Sequence, residues 1–172
     1  EFGGKDELIL ALHKEKTRIT SEIVTELPVR PGVLRLVDEA MAAGVRLGVC
    51  TTSNARFIDA VLDLFGPTRK AAFEFVHAGD VVSKKKPDPE IYQLATKSLG
   101  LPPAQCVVIE DSRNGLLAAT GAGYPTLITT STYTAEEDFS EAARVVPELG
   151  DAPGAEVRLE DLSAIAAEAQ DA

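Results

Sequence analysis

Three short clusters in this 172-residue chain carry groups able to do chemistry. The first, Thr51-Thr52-Ser53-Asn54, follows the largely apolar segment Val45–Cys50 and precedes a helical pattern. Its hydroxyls, amide and backbone N–H groups suit an anion, because a helix N-terminus presents unbonded donors and the positive end of its dipole. Ser, Thr and Asn are equally ordinary helix caps, so this cluster alone admits either role. In the second, Lys84-Lys85-Lys86 runs into Pro87-Asp88-Pro89. Lys84 and Lys85 read as a solvated charge run. Lys86 differs, because the proline-bounded entry to the next helix would aim its ammonium reproducibly, at a phosphoryl group or an anionic nucleophile. The third, Glu110-Asp111-Ser112, closes another apolar run. Adjacent carboxylates repel unless a cation or hydrogen-bond donors offset them, and oxygen ligands suit Mg²⁺, which takes one or two carboxylates, keeps waters and binds a substrate phosphate. The competing role is that Asp111 or Ser112 caps the following helix, and both roles can hold for different residues.

The surrounding pattern must position these clusters. From Lys5 to about Glu26 apolar residues recur at helical spacing, predicting one long amphipathic helix or two with a break near Thr20. Leu27-Pro28-Val29-Arg30-Pro31-Gly32 ends it, since proline removes a helix donor and biases the residue before it to extended backbone. Residues 28–32 are the expected hinge between a helical segment, 1–27, and a core, 33–172. Beyond the hinge helices and short apolar strands alternate: helix 33–43, strand 45–50, helix 55–64, strand 73–76, helix 88–99, strand 106–109, helix 113–122, strand 126–129, a short strand at 144–146 and a closing helix 162–169. Strands separated by helices imply an α/β fold with a parallel sheet and right-handed crossovers. Ligands of such sheets bind at the carboxyl ends of the strands, and all three clusters fall there.

Composition narrows the classes. Apolar residues are 45%, charged 26% and aromatic 5%, which is ordinary globular usage, and no apolar run has the ~18–20 residues of a membrane span. Seventeen Lys and Arg against 27 Asp and Glu leave a net charge of −10, which phosphate backbones would repel, so nucleic acid is a poor partner. Cys50 and Cys106 sit in apolar runs and read as buried thiols; His13 and His77 lack the spacing of a metal site.

Together these features resemble a known superfamily. An apolar strand followed by Thr51, Lys86-Pro87-Asp88-Pro89 before a helix, and a strand ending in Glu110-Asp111-Ser112 with Gly115 downstream are similar to motifs II, III and IV of the haloacid dehalogenase-like hydrolases. More narrowly, Leu27–Gly32, Ala78–Val82, Lys84–Pro89 and Tyr133–Phe139 resemble the CbbY-type subgroup of plants and algae, plastid sugar-phosphate phosphatases that include xylulose-1,5-bisphosphate phosphatase. The resemblance implies a Rossmann-like parallel sheet with part of a helical cap at the N-terminus. It also implies a Mg²⁺-dependent phosphatase of a phosphorylated sugar, in the chloroplast stroma. Thr51 would hydrogen-bond the transferring phosphoryl group, Lys86 steady the nucleophile and the phosphoryl oxygens, Glu110 and Asp111 hold Mg²⁺, and Thr52, Ser53 and Asn54 face the substrate's other phosphate. A phosphomutase of the same superfamily, or a non-catalytic subunit of a plastid assembly, are the alternatives.

The chain departs from the family at motif I. No two aspartates stand two residues apart anywhere in it, so the family's Asp-x-Asp-Gly is absent, and with it the aspartyl nucleophile and the first, central strand. The expectation is therefore a C-terminal portion of a longer protein, inert by itself, whose N-terminal segment carries the nucleophilic aspartate.

Overall fold

The computed structural model describes residues 4–151, 153–154 and 156–171; residues 1–3 of the expected helical segment, and the side chain of His13, lie outside this description. The chain begins with helix α1 (Gly4–Ile23), which tightens into a 3₁₀ turn at Val24–Glu26 before the prolines. Of the two readings, the single long helix holds: α1 runs unbroken through Thr20. Much of its apolar face is open to solvent, with Leu10 69% and Leu12 61% exposed.

The core follows as α2 (Val33–Ala42), β1 (Leu47–Cys50), α3 (Ala55–Asp63), α4 (Pro67–Ala71), β2 (Phe73–His77), α5 (Glu90–Leu99), β3 (Val108–Glu110), α6 (Arg113–Gly121), β4 (Thr126–Thr129), β5 (Arg144–Val146) and α7 (Leu159–Asp171). Every expected strand is present and every pairing is parallel. The boundaries move for local reasons. Val45 is outside β1 because its N–H closes the end of α2 on the Ala40 carbonyl at 2.9 Å. Asp88 stands before α5 and accepts from Glu90 N at 3.1 Å. Helix α7 starts at Leu159 because the Asp161 carboxylate accepts from Arg158 N at 2.7 Å. Helix α4 was not expected, although Gly66-Pro67 places proline where a helix start tolerates it. Cys106 precedes β3, and both cysteines are half-buried rather than enclosed.

The strands form two sheets, β1–β2 and β3–β4–β5, in a chain expected to lack the central strand of one sheet. Strands β1 and β3 are not hydrogen-bonded to each other, yet their carboxyl ends converge on one side chain, Lys86, which donates to Cys50 O and to Glu110. Helices cover both faces. Leu36 of α2 and Ile165 of α7 pack with Leu127 and Val146, while Ile91 and Tyr92 of α5 pack with Ala118 and Ala119 of α6, against Cys50 and Val108. Strand β4 is consequently buried along its whole length, as a parallel strand covered on both faces must be.

One packing constraint can be tested at once. Gly48 pairs with Phe75 across β1 and β2, and a Cβ at Gly48 would overlap the Phe75 ring, which stacks on His77 at 4.5 Å. Gly48→Ala is expected to lower stability by about 1–3 kcal/mol through this overpacking, read as a lower midpoint in urea denaturation with an unchanged slope.

Candidate functional site

An open cleft lies at the carboxyl ends of β1, β3 and β4, lined by Thr51, Thr52 and Ser53 after β1, by Lys86, by Glu110, Asp111 and Ser112 after β3, and by Arg30 and Thr129. Three clusters separated by up to 60 residues of sequence therefore share one wall. Asn54 is the exception: it lies outside the lining, and its side-chain oxygen accepts from Arg56 N at 2.9 Å to cap α3. Between the anion-site and capping roles open to that cluster, Asn54 serves the cap and the other three residues face the cleft. Thr51 Oγ1 accepts from Ser53 N at 3.1 Å, and a hydroxyl so engaged still has its proton for an acceptor.

Lys86 is buried to 13% exposure, and its ammonium finds three acceptors for its three protons: Cys50 O at 3.0 Å, Tyr92 Oη at 3.2 Å, and Glu110 Oε1. The segment before it is tied down. The Glu90 carboxylate accepts from Ser83 N at 3.1 Å and Lys84 N at 2.8 Å, and Lys85 folds back to Asp80 at 2.7 Å. Of the three lysines in the run, only Lys86 turns inward.

Glu110 is 10% exposed and belongs to this buried pair. Its carboxylate rests on Gly115 at the start of α6, where a Cβ would overlap it. Ser112, not Asp111, caps α6, accepting from Gly115 N at 3.2 Å. Asp111 is thereby left to the cleft, solvent-exposed at its rim. Partial desolvation, then the charge of Glu110, raise its carboxyl above the usual range, and Lys86 and Arg30 only oppose this. A carboxylate whose charge is under-compensated beside a second one is the donor set a hard dication answers. Among the described residues no group of three or more His, Cys, Asp or Glu gathers as a metal cluster, so these two would form a partial ligand set. Glu110 and Asp111 therefore fit a share of Mg²⁺ coordination.

Two groups at this site were missed by sequence reasoning. Arg30, expected only as part of a hinge, donates to Thr129 Oγ1 at 3.2 Å, Thr130 O at 2.7 Å and Pro147 O at 2.8 Å, pinning residues 28–32 to the ends of β4 and β5. An arginine between two prolines was the available signal. Tyr92, read as a helix residue, puts its hydroxyl between Lys86 and Glu110.

Comparison with known proteins matches this geometry to a lineage. Residues 4–123 match the family model described as haloacid dehalogenase-like hydrolase. The chain is 47% identical to a CBBY-like protein of Arabidopsis thaliana over 87% of its own length and 47% of the relative's, and 42% identical to protein CbbY of Rhodobacter capsulatus over 86% of its length and 66% of the relative's. It thus spans between about half and two thirds of these relatives. A solved structure of a CbbY mutant from Rhodobacter sphaeroides, in complex with xylulose-(1,5)bisphosphate, superposes with a TM-score of 0.79 at 36% identity, covering 90% of this chain and 68% of the other.

Proposed function

The chain belongs to the haloacid dehalogenase-like hydrolases, and from that premise we propose that the intact protein is a Mg²⁺-dependent phosphatase of a phosphorylated sugar, with xylulose-1,5-bisphosphate the first candidate. The observation that carries the reading is the convergence of Lys86, Thr51, Glu110 and Asp111 on one strand-end cleft. Lys86 and Thr51 bind phosphoryl oxygens. The hydroxyls of Thr52 and Ser53, which line the cleft ahead of α3, receive a second phosphate. Glu110 and Asp111 would hold part of a Mg²⁺ shell, and the ion would supply positive charge beside the phosphorus under attack.

The nucleophile of this proposal is an aspartate outside these 172 residues. The absence of paired aspartates supports it, as do the two sheets, whose strands β1 and β3 converge without pairing and would both accept a strand between them. These 172 residues alone should then release no phosphate. The chloroplast stroma belongs to the same proposal, supported by the likeness to the Arabidopsis protein; a fluorescent fusion of the intact protein locates it.

The test is a phosphate-release screen of the intact protein over sugar mono- and bisphosphates, with and without Mg²⁺. Metal-dependent release from a sugar phosphate is the expected result. Isomerised sugar phosphate without released phosphate would replace the reading with a mutase, and a stoichiometric partner with no turnover would replace it with a non-catalytic subunit. Within this reading Gly115→Ala has a defined effect. The new methyl displaces the Glu110 carboxylate, and turnover should fall at least about tenfold, with a stability loss of about 1–3 kcal/mol, measured by steady-state kinetics and thermal melting.

A further inference from the structure

Tyr92 is 4% exposed. Its hydroxyl donates to Glu110 Oε1, the acceptor that faces that proton among the described residues. Its own oxygen accepts from Lys86 Nζ at 3.2 Å, and its ring lies 4.9 Å from the same ammonium. Glu110 Oε1 consequently receives two donors, Lys86 and Tyr92, which turns the other oxygen, Oε2, toward Asp111, 3.4 Å from its backbone N. A carboxylate with one oxygen doubly held cannot rotate without breaking both bonds. The tyrosine is itself held from behind. Tyr124 lies 5.7 Å away, and its hydroxyl meets Thr96 Oγ1 at 2.9 Å, while Thr96 Oγ1 also donates to Tyr92 O at 3.1 Å.

We infer that Tyr92 is a positioning residue of this site: its buried hydroxyl selects which Glu110 oxygen faces the cleft and aims the Lys86 ammonium at the same time. This rests on the phosphatase reading above and deepens it. Tyr92 touches no substrate; it acts through two groups that do. The consequence is that the orientation of a metal-facing carboxylate and of a phosphoryl-facing cation are set by one O–H group, so both degrade together when it is removed.

Tyr92→Phe in the intact protein keeps the ring and deletes the hydroxyl. The expected result is a kcat about tenfold lower, with KM for the sugar phosphate within about twofold and a half-saturating Mg²⁺ concentration several-fold higher. The rise in melting temperature produced by Mg²⁺ should shrink in parallel, a readout that needs no turnover. Ile165→Ala is the control, since it opens a cavity under α7 without touching Lys86, Tyr92 or Glu110; it should melt lower with kcat and the Mg²⁺ response unchanged. Tyr92→Phe behaving like that control, less stable but with normal kcat and normal Mg²⁺ response, overturns the inference. A parent protein that releases no phosphate from any sugar phosphate defeats the phosphatase reading, while the Mg²⁺-dependent melting of parent and variant still decides the role of Tyr92. A Mg²⁺ response that is absent from the parent as well overturns both.

Discussion

Lys86→Ala in the intact protein is expected to reduce phosphate release about a thousandfold, the scale at which one preorganised charge donor contributes to a developing oxyanion. The substitution does two separable things. It removes the cation that faces the phosphoryl group, and it leaves Glu110, 10% exposed, without its ion-pair partner. Stranding a buried carboxylate costs about 3–5 kcal/mol, so the variant should also melt well below the parent. Lys86→Arg separates the two effects. A guanidinium retains the charge but is planar and forked, and cannot direct three protons to Cys50 O, Tyr92 Oη and Glu110 Oε1 from one point. It should recover much of the lost stability and little of the lost rate. Kinetics measured below the melting temperature of each variant make the comparison clean. An alanine variant turning over within tenfold of the parent would remove Lys86 from the chemistry.

Asp111→Asn should have the second-largest effect, about a hundredfold or more on turnover, with a much larger Mg²⁺ requirement, because an amide is a poor substitute for a carboxylate as a hard-cation ligand. Its effect on stability has the opposite sign. The folded protein raises the Asp111 carboxyl above its ordinary range, mainly by partial desolvation and by repulsion from Glu110. A group whose folded pKa lies above its unfolded one destabilises the fold while ionised at neutral pH. That penalty disappears as pH falls through the folded and then the unfolded value. In the absence of Mg²⁺, then, the asparagine variant should be more stable than the parent at pH 7, by less than about 1 kcal/mol given the solvent screening of an exposed side chain. The difference should vanish towards pH 3. Denaturant midpoints of both proteins with EDTA across this range measure it. A variant that is slow and also less stable at pH 7 would make Asp111 a structural residue.

These predictions show which features were legible without coordinates. Residues 47–50 and 126–129 were legible as strands because short segments rich in Leu, Ile, Val and Thr, bounded by polar turns, suit a pleated and covered strand. Gly44 and Gly100 marked the helix ends. Lys86 was separable from Lys84 and Lys85 because prolines flank the turn that follows it. Asn54 shows the opposite limit. Its type and position fit a phosphate ligand as well as a helix cap, and the choice depends on where the backbone of Arg56 falls, a matter of local geometry to which residue type is blind. The strands pair as two parallel sheets in a chain that the resemblance expected to lack its central strand; alternation of helix and strand by itself reports what each segment is and says nothing of which strands find each other.

From residue order alone came the α/β class, the strand-end placement of three polar clusters, the resemblance to a hydrolase superfamily and the absence of a paired-aspartate motif. All of these are written in short-range periodicity or in residue identity. Folding in three dimensions decided the rest: that Ser112 and not Asp111 caps α6, that Arg30 reaches from the proline segment to the ends of β4 and β5, and that Glu110 gives one oxygen jointly to Lys86 and Tyr92. The physical reason is that a side chain's hydrogen-bond partner is set by distances between backbone elements far apart in the chain, and no window of sequence contains those distances.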